Sequence, residues 1–169
     1  MAGLADWGEA VIVFRRPDDA SFPLQMTSQS SSASAAAPHP ANTLEADSLS
    51  ASLTVRDLRA SIAWYRDVVG FTLDREMVRD GVLRAAAMRA GAVRILLNQD
   101  DGAKGFERTT GLGFSLNVST RQSVDVIADR IRSHGGTLDS EPADMPWGAR
   151  VFRVRDPDGY ALAFSRPLG

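Results

Sequence analysis

The chain contains no cysteine. That absence removes disulfide frameworks, thiolate zinc sites and thiol nucleophiles together, and it leaves the redox compartment without a signature. Histidine is nearly absent as well, with two in the chain. His39 sits among Ser, Ala and Pro, and His134 stands just before Gly135-Gly136, where an imidazole interacts with a helix C-terminus more readily than with a metal. No apolar run approaches the ~18 residues that cross a bilayer. The run from Ala10 to Phe14 is bounded by Asp6, Glu9, Arg15 and Arg16, too short and too charged at its flanks for a secretory signal. A charge of one sign is missing too: 19 basic and 21 acidic residues give −2 overall, with no Lys/Arg cluster. Neither nucleic acid nor a membrane is therefore an expected partner, and a cytoplasmic location is the default expectation. There is no nucleophile elbow, phosphate-binding glycine loop or dinucleotide fingerprint.

What remains is an ordinary globular composition. The chain has 169 residues, 44% of them apolar and 24% charged, enough for one well-buried core with an appendage. Residues 27–42 are Ser, Ala and Pro with no large apolar side chain, a composition expected to form a flexible linker. The expected organisation is an N-terminal extension, 1–46, followed by a domain over 47–169. Within the extension, Val11, Ile12, Val13 and Phe14 suit a strand, and Trp7-Gly8 with Phe14-Arg15-Arg16-Pro17-Asp18 loosely echoes Trp147-Gly148 with Phe152-Arg153 and Asp156-Pro157-Asp158. An accessory strand, a tail and a shared origin all fit that echo.

The domain carries a clearer internal repeat. Ser50-Ala-Ser-Leu-Thr-Val55 alternates polar with apolar residues, as a half-buried strand does, and Phe114-Ser-Leu-Asn-Val118 repeats the pattern. Leu53 matches Leu116, and Val55 matches Val118. An amphipathic helical segment follows each strand, with Leu58, Ile62, Tyr65 and Val69 in the first and Val124, Ile127, Ala128 and Ile131 in the second. Gly70 and Gly135-Gly136 close the two helices. Further strand candidates are Val82 to Met88 and Val93 to Asn98, then Arg150 to Val154 and Tyr160 to Phe164, reversed at Ala90-Gly91 and at Asp156-Pro-Asp-Gly159. The expected fold class is α+β, two βαβββ modules, with module one over 48–100 and module two over 111–167.

These residues resemble the glyoxalase/bleomycin-resistance/dioxygenase, or vicinal-oxygen-chelate, superfamily. The resemblance rests on Leu53-Thr-Val-Arg-Asp57, Ser61-Ile-Ala-Trp-Tyr-Arg-Asp67, Val69-Gly-Phe71 and Pro146-Trp-Gly148 leading to Asp156-Pro-Asp-Gly-Tyr160, over about residues 48 to 167. The stretch from Leu96 to Gly105, followed by Gly113-Phe-Ser-Leu, is most similar to a branch known only as glyoxalase-like. The resemblance implies sheets that curl into a cleft with the helices outside, and homodimerisation. It also implies that the metal ligands of the family's enzymes would fall at Ser50, Leu96, Gly113 and Ala163. None of these offers the nitrogen or carboxylate donors a divalent Lewis acid needs, so the expectation is no metal and no cofactor. Asn98, Gln99, Asp100 and Asp101 are rich in oxygen but lack calcium-loop spacing, and read as a solvated turn.

Strand alternation then sorts the faces. With Ala51, Leu53 and Val55 toward the helices, Ser50, Ser52 and Thr54 line the cleft, as do Arg94, Leu96 and Asn98 and, in module two, Ser115 and Asn117. Trp147 offers a flat wall for an aromatic or sugar-bearing guest, or else plugs the core or a dimer seam. Phe152 joins the candidate ligand-binding residues; which of Arg150, Phe152 and Arg153 point inward depends on a register the sequence leaves open. Small hydroxyl and amide groups between apolar walls suit capture of a small organic molecule. The leading expectation is a metal-free binding protein that sequesters an antibiotic or toxic metabolite. The alternatives are a lyase or isomerase working without metal or with displaced ligands, and a purely structural module with a filled cleft.

Overall fold

The computed structural model describes residues 48–169. The expectations for the extension and linker, including His39 and the strand around Val11–Phe14, lie outside the described residues. Module one runs β1 (Ala51–Val55), α1 (Leu58–Ala63), a π-helical continuation (Trp64–Val69), β2 (Thr72–Arg79), β3 (Val82–Ala90) and β4 (Val93–Gln99). Module two runs β5 (Ser115–Ser119), α2 (Val124–Ser133), β6 (Leu138–Met145), β7 (Ala149–Arg155) and β8 (Ala161–Pro167). The strands form two four-stranded sheets, ordered β1-β4-β3-β2 and β5-β8-β7-β6. In each sheet the first strand runs parallel to the last, and the other pairings are antiparallel. The repeated βαβββ reading thus holds, and the fold is that of the glyoxalase/bleomycin-resistance type.

Local chemistry accounts for the ends of the elements. Asp57 caps α1 by accepting the Ala60 N–H at 3.0 Å, and the Gln99 side chain accepts the Leu58 N–H at 3.0 Å, which satisfies two donors a helix start leaves open. Gly70 ends the helical segment at φ 101°, a left-handed conformation that glycine adopts without a Cβ penalty. Asp80 and Gly81 turn β2 into β3 with positive φ at both positions, matching the twist of a tight hairpin.

Each sheet has one face against the helices and one turned away from them. Leu53 and Val55 of β1, Ile95 and Leu97 of β4, and Ala86 and Met88 of β3 are buried on the helix side of module one. Val118, Phe152, Val154, Leu162 and Phe164 do the same in module two. All of these belong to one apolar cluster, together with Ile62, Tyr65, Ala128 and Ile131 of the helices. The modules are also tied by polar contacts: the Tyr65 hydroxyl donates to Asp156 Oδ2 at 2.9 Å, the Arg56 N–H to Asp158 Oδ1 at 2.7 Å, and the Arg130 guanidinium to the carbonyls of Val68 and Asp67. Among the described residues, no helix is long and apolar enough to cross a membrane.

Candidate functional site

The registers assign the faces turned away from the helices, called open faces below. In module one, Ser52 lies opposite Leu96 and Thr54 opposite Asn98, while Asn98, Leu96 and Arg94 lie opposite Ala85, Ala87 and Arg89 of β3. Arg75 and Met77 of β2 complete that face opposite Ala87 and Ala85. In module two, Ser115, Asn117 and Ser119 lie opposite Ala161, Ala163 and Ser165, and Arg153 lies opposite Ala163.

Most of the candidate residues therefore fall where alternation places them. Ser52, Arg94, Ser115 and Asn117 are exposed, and Thr54 and Asn98 are half-buried. Asn98 donates to Ser52 Oγ at 2.9 Å and to the Leu53 carbonyl at 3.2 Å, and Ser50 Oγ donates to the Arg94 carbonyl at 3.2 Å. These contacts join Ser50 to Arg94 and Ser52 to Asn98, two pairs on the open face of the first sheet. Ser115 and Asn117 occupy the separate open face of the second sheet. Trp147 is 54% exposed at the β6–β7 reversal, so it plugs no core.

Phe152 departs from its expected place. Its ring is fully buried and stacked on Phe164, with centroids 5.1 Å apart, so it belongs to the core and offers no surface to a guest. The register that the sequence left open is set by Arg150, whose guanidinium grips Asp125 of α2 at 2.8 and 2.9 Å and Asp144 of β6 at 2.7 Å. These carboxylates raise the Arg150 pKa, and the hydrogen bond from the Arg150 guanidinium in turn holds the Asp125 carboxyl below its ordinary value. With Arg150 on the helix side, alternation sends Phe152 and Val154 there too, and Arg153 to the open face.

The positions that would carry metal ligands can now be tested by register. Asn117 pairs with Ala163 and Thr54 pairs with Asn98. The internal repeat therefore makes Asn98, rather than Leu96, the counterpart of Ala163. The four places are Ser50, Asn98, Gly113 and Ala163. The serine hydroxyl is committed to a carbonyl, the amide nitrogen of Asn98 is committed as a donor, and Gly113 and Ala163 have no donor atom. This set does not fit a divalent ion held in the family's manner. Among the described residues, no group of three or more His, Asp or Glu could hold a metal.

The family model for the glyoxalase/bleomycin resistance protein/dioxygenase superfamily matches residues 47–164. The chain belongs to this superfamily. Among solved structures it is similar to TioX from Micromonospora sp. ML1, at 23% identity and a TM-score of 0.60, over 73% of this chain and 100% of that one. It is also similar to a glyoxalase/bleomycin resistance protein/dioxygenase from Nocardioides, at 23% identity and a TM-score of 0.58, over 75% of this chain and 87% of that one. A lactoylglutathione lyase from Agrobacterium tumefaciens shares 18% identity at a TM-score of 0.54, over 72% and 94% of the two chains. At these identities the likeness is one of fold. No curated protein matches the chain.

Two features were not singled out in the sequence. A cavity of about 480 Å3 lies where the inter-module segment meets α1 and the Asp156–Gly159 turn, with Arg56, Arg108, Arg155, Asp158, Phe106 and Leu112 among its walls. Its parts are scattered from residue 54 to 159, and no local motif joins them. The other is the Tyr65–Asp156 pair. Burial, then the neighbouring carboxylate, pushes the Tyr65 phenol far above its ordinary value of 10.0. Burial likewise raises the Asp156 carboxyl, against the N–H groups of Asp158 and Tyr160 and the Tyr65 hydroxyl, which favour its anion.

Proposed function

We propose that this superfamily member binds a small organic molecule on the open faces of its modules without a metal ion, as a sequestering protein for an antibiotic or toxic metabolite. The observation that carries the reading is the residue set at the four ligand positions. Ser50, Asn98, Gly113 and Ala163 are unsuited to a Lewis acid, whereas the face around them keeps hydroxyl and amide groups beside an apolar floor of Ala87 and Leu96. Such a surface holds a guest by shape and hydrogen bonds. Beside Asn98, at the end of module one that carries the β2–β3 hairpin, lies a depression of about 510 Å3 bordered by Met77, Arg79, Asp80, Arg84, Asn98 and Asp101, a size suited to a drug-like molecule. A homodimer that covers these faces with a second copy, in the cytoplasm, is part of the reading.

The test is a thermal-shift screen of the purified chain against antibiotics and glutathione adducts, beside elemental analysis. A specific binder raises the melting temperature by mass action. The reading expects at least one saturable stabiliser and no stoichiometric metal; nickel, zinc, iron or manganese at one per chain, restored after chelation and reloading, would overturn it. Light scattering checks the dimer.

A further inference from the structure

We infer that the open face of module one selects organic anions, gripping a carboxylate or phosphate with Arg89 and Arg94 while the rest of the molecule lies along β4 toward Asn98. This rests on the proposed binding function and names the class of guest.

The argument begins with an unfavourable pairing. Arg89 and Arg94 lie directly opposite one another on β3 and β4, on the side of the sheet away from the helices. Side chains so placed have Cβ atoms about 5 Å apart, and like charges there destabilise a sheet. Arg75 sits on the next strand, opposite Ala87 and one step along the same face. Of these three guanidiniums, Arg89 has a carboxylate at the limit of ion-pair range, Asp74 at 3.9 Å. Neither Arg75 nor Arg94 has an ion-pair partner among the described residues, although the chain closes other arginines onto acids at short range, as at Arg66–Asp67, Arg108–Asp100, Arg150–Asp125 and Arg155–Asp139. The face thus has an uncompensated positive end, and paired guanidiniums are the donors that fit carboxylate or phosphate geometry.

The same strand sets the shape of the guest. From Arg94, β4 presents Leu96 and then Asn98 on the open face, a span of about 13 Å at the usual rise per residue. Leu96 beside Ala87 forms an apolar floor midway, and Asn98 with Ser52 supplies hydrogen-bonding groups at the far end, by the depression described above. An anionic head, an apolar body and a polar tail within that span match the face in order.

The probes are cinnamate, phenyl phosphate and the neutral cinnamamide, titrated into the full chain and followed by amide chemical shifts. Cinnamate and phenyl phosphate are expected to bind about tenfold more tightly than cinnamamide, the worth of one charge-assisted hydrogen bond, with shifts on β3 and β4. The double variant Arg89→Gln with Arg94→Gln should lose that preference, while Arg59→Gln on α1 keeps it. Since the double variant removes a repulsion, its ligand-free melting temperature should match or exceed that of the parent; a lower one overturns the inference by making the pair a structural element. Equal binding of acid and amide overturns the anion preference and leaves the small-molecule reading standing. Failure of all three probes to bind at millimolar concentration overturns the inference, whereas the antibiotic and glutathione-adduct screen judges that reading. A stronger response to phenyl phosphate than to cinnamate identifies the head group as phosphate, and the reverse as carboxylate.

Discussion

Tyr65 does more than fill a stripe of a helix. Its ring is fully buried and its hydroxyl reaches Asp156, which is 5% exposed, from the other module. Tyr65→Phe removes one hydrogen bond from a buried carboxylate that keeps two backbone donors, so it should lower unfolding stability by about 1–3 kcal/mol with an unchanged denaturant slope. The pH dependence follows from the raised pKa of this phenol. The folded state holds the proton after the unfolded chain has begun to release it, so the contribution is complete below pH 10.0 and falls as pH climbs above it. Denaturant titrations at rising alkaline pH should show the parent losing stability more steeply than Tyr65→Phe. Phe152 supplies a second expectation at this scale: as a core ring stacked on Phe164, its replacement by Ala should cost about 3–5 kcal/mol in a urea melt. A neutral effect there would return it to the surface. Alternation along β7 leaves two registers open, and the carboxylates of Asp125 and Asp144, which choose between them by gripping Arg150, come from α2 and β6.

At the scale of elements, legibility tracks burial. The strands β1, β4, β5, β7 and β8 carry alternating or apolar patterns because one face of each meets the core. The edge strands β2 and β6 carry no such pattern. β2 is exposed along nearly its whole length, and β6 contains Pro142 where its register to β7 shifts, so neither needs an apolar face. The π-helical turn was equally hidden. The N–H groups of Gly70 and Phe71 both reach the Tyr65 carbonyl, and this widened turn accommodates adjacent buried valines, Val68 and Val69, that a strict helical period would separate. The inter-module segment is seated by a contact no periodicity reveals. A Cβ at Gly111, where φ is 73°, would lie 2.7 Å from the Gly159 carbonyl oxygen, whereas at Gly105, with φ 78°, it would meet nothing within 4 Å. Both alanine variants pay backbone strain of about 1–3 kcal/mol, but only Gly111→Ala must also displace the turn. Its melting temperature should therefore fall below that of Gly105→Ala, and equal values would show that the segment is not seated on the turn.

At the scale of the molecule, the internal repeat suggests two units that each fold alone, and the packing argues otherwise. A single apolar cluster takes residues from both sheets and both helical segments, and Tyr65, Arg56 and Arg130 bridge the modules by hydrogen bonds. Either module by itself would expose its share of that cluster and strand a buried carboxylate or its partner, and a unit of that size has little core to spare. Residues 47–169 should accordingly unfold in one cooperative transition. Trp64 reports on module one and Trp147 on module two, so Trp64→Phe and Trp147→Phe variants of this segment give each module its own fluorescence signal. Their urea midpoints, once corrected for the stability change each substitution causes in a backbone-detected melt, should coincide. Midpoints that separate, with the fluorescence of one module changing while the other stays native, would show two independent units and would make the shared core a surface of contact rather than a condition of folding.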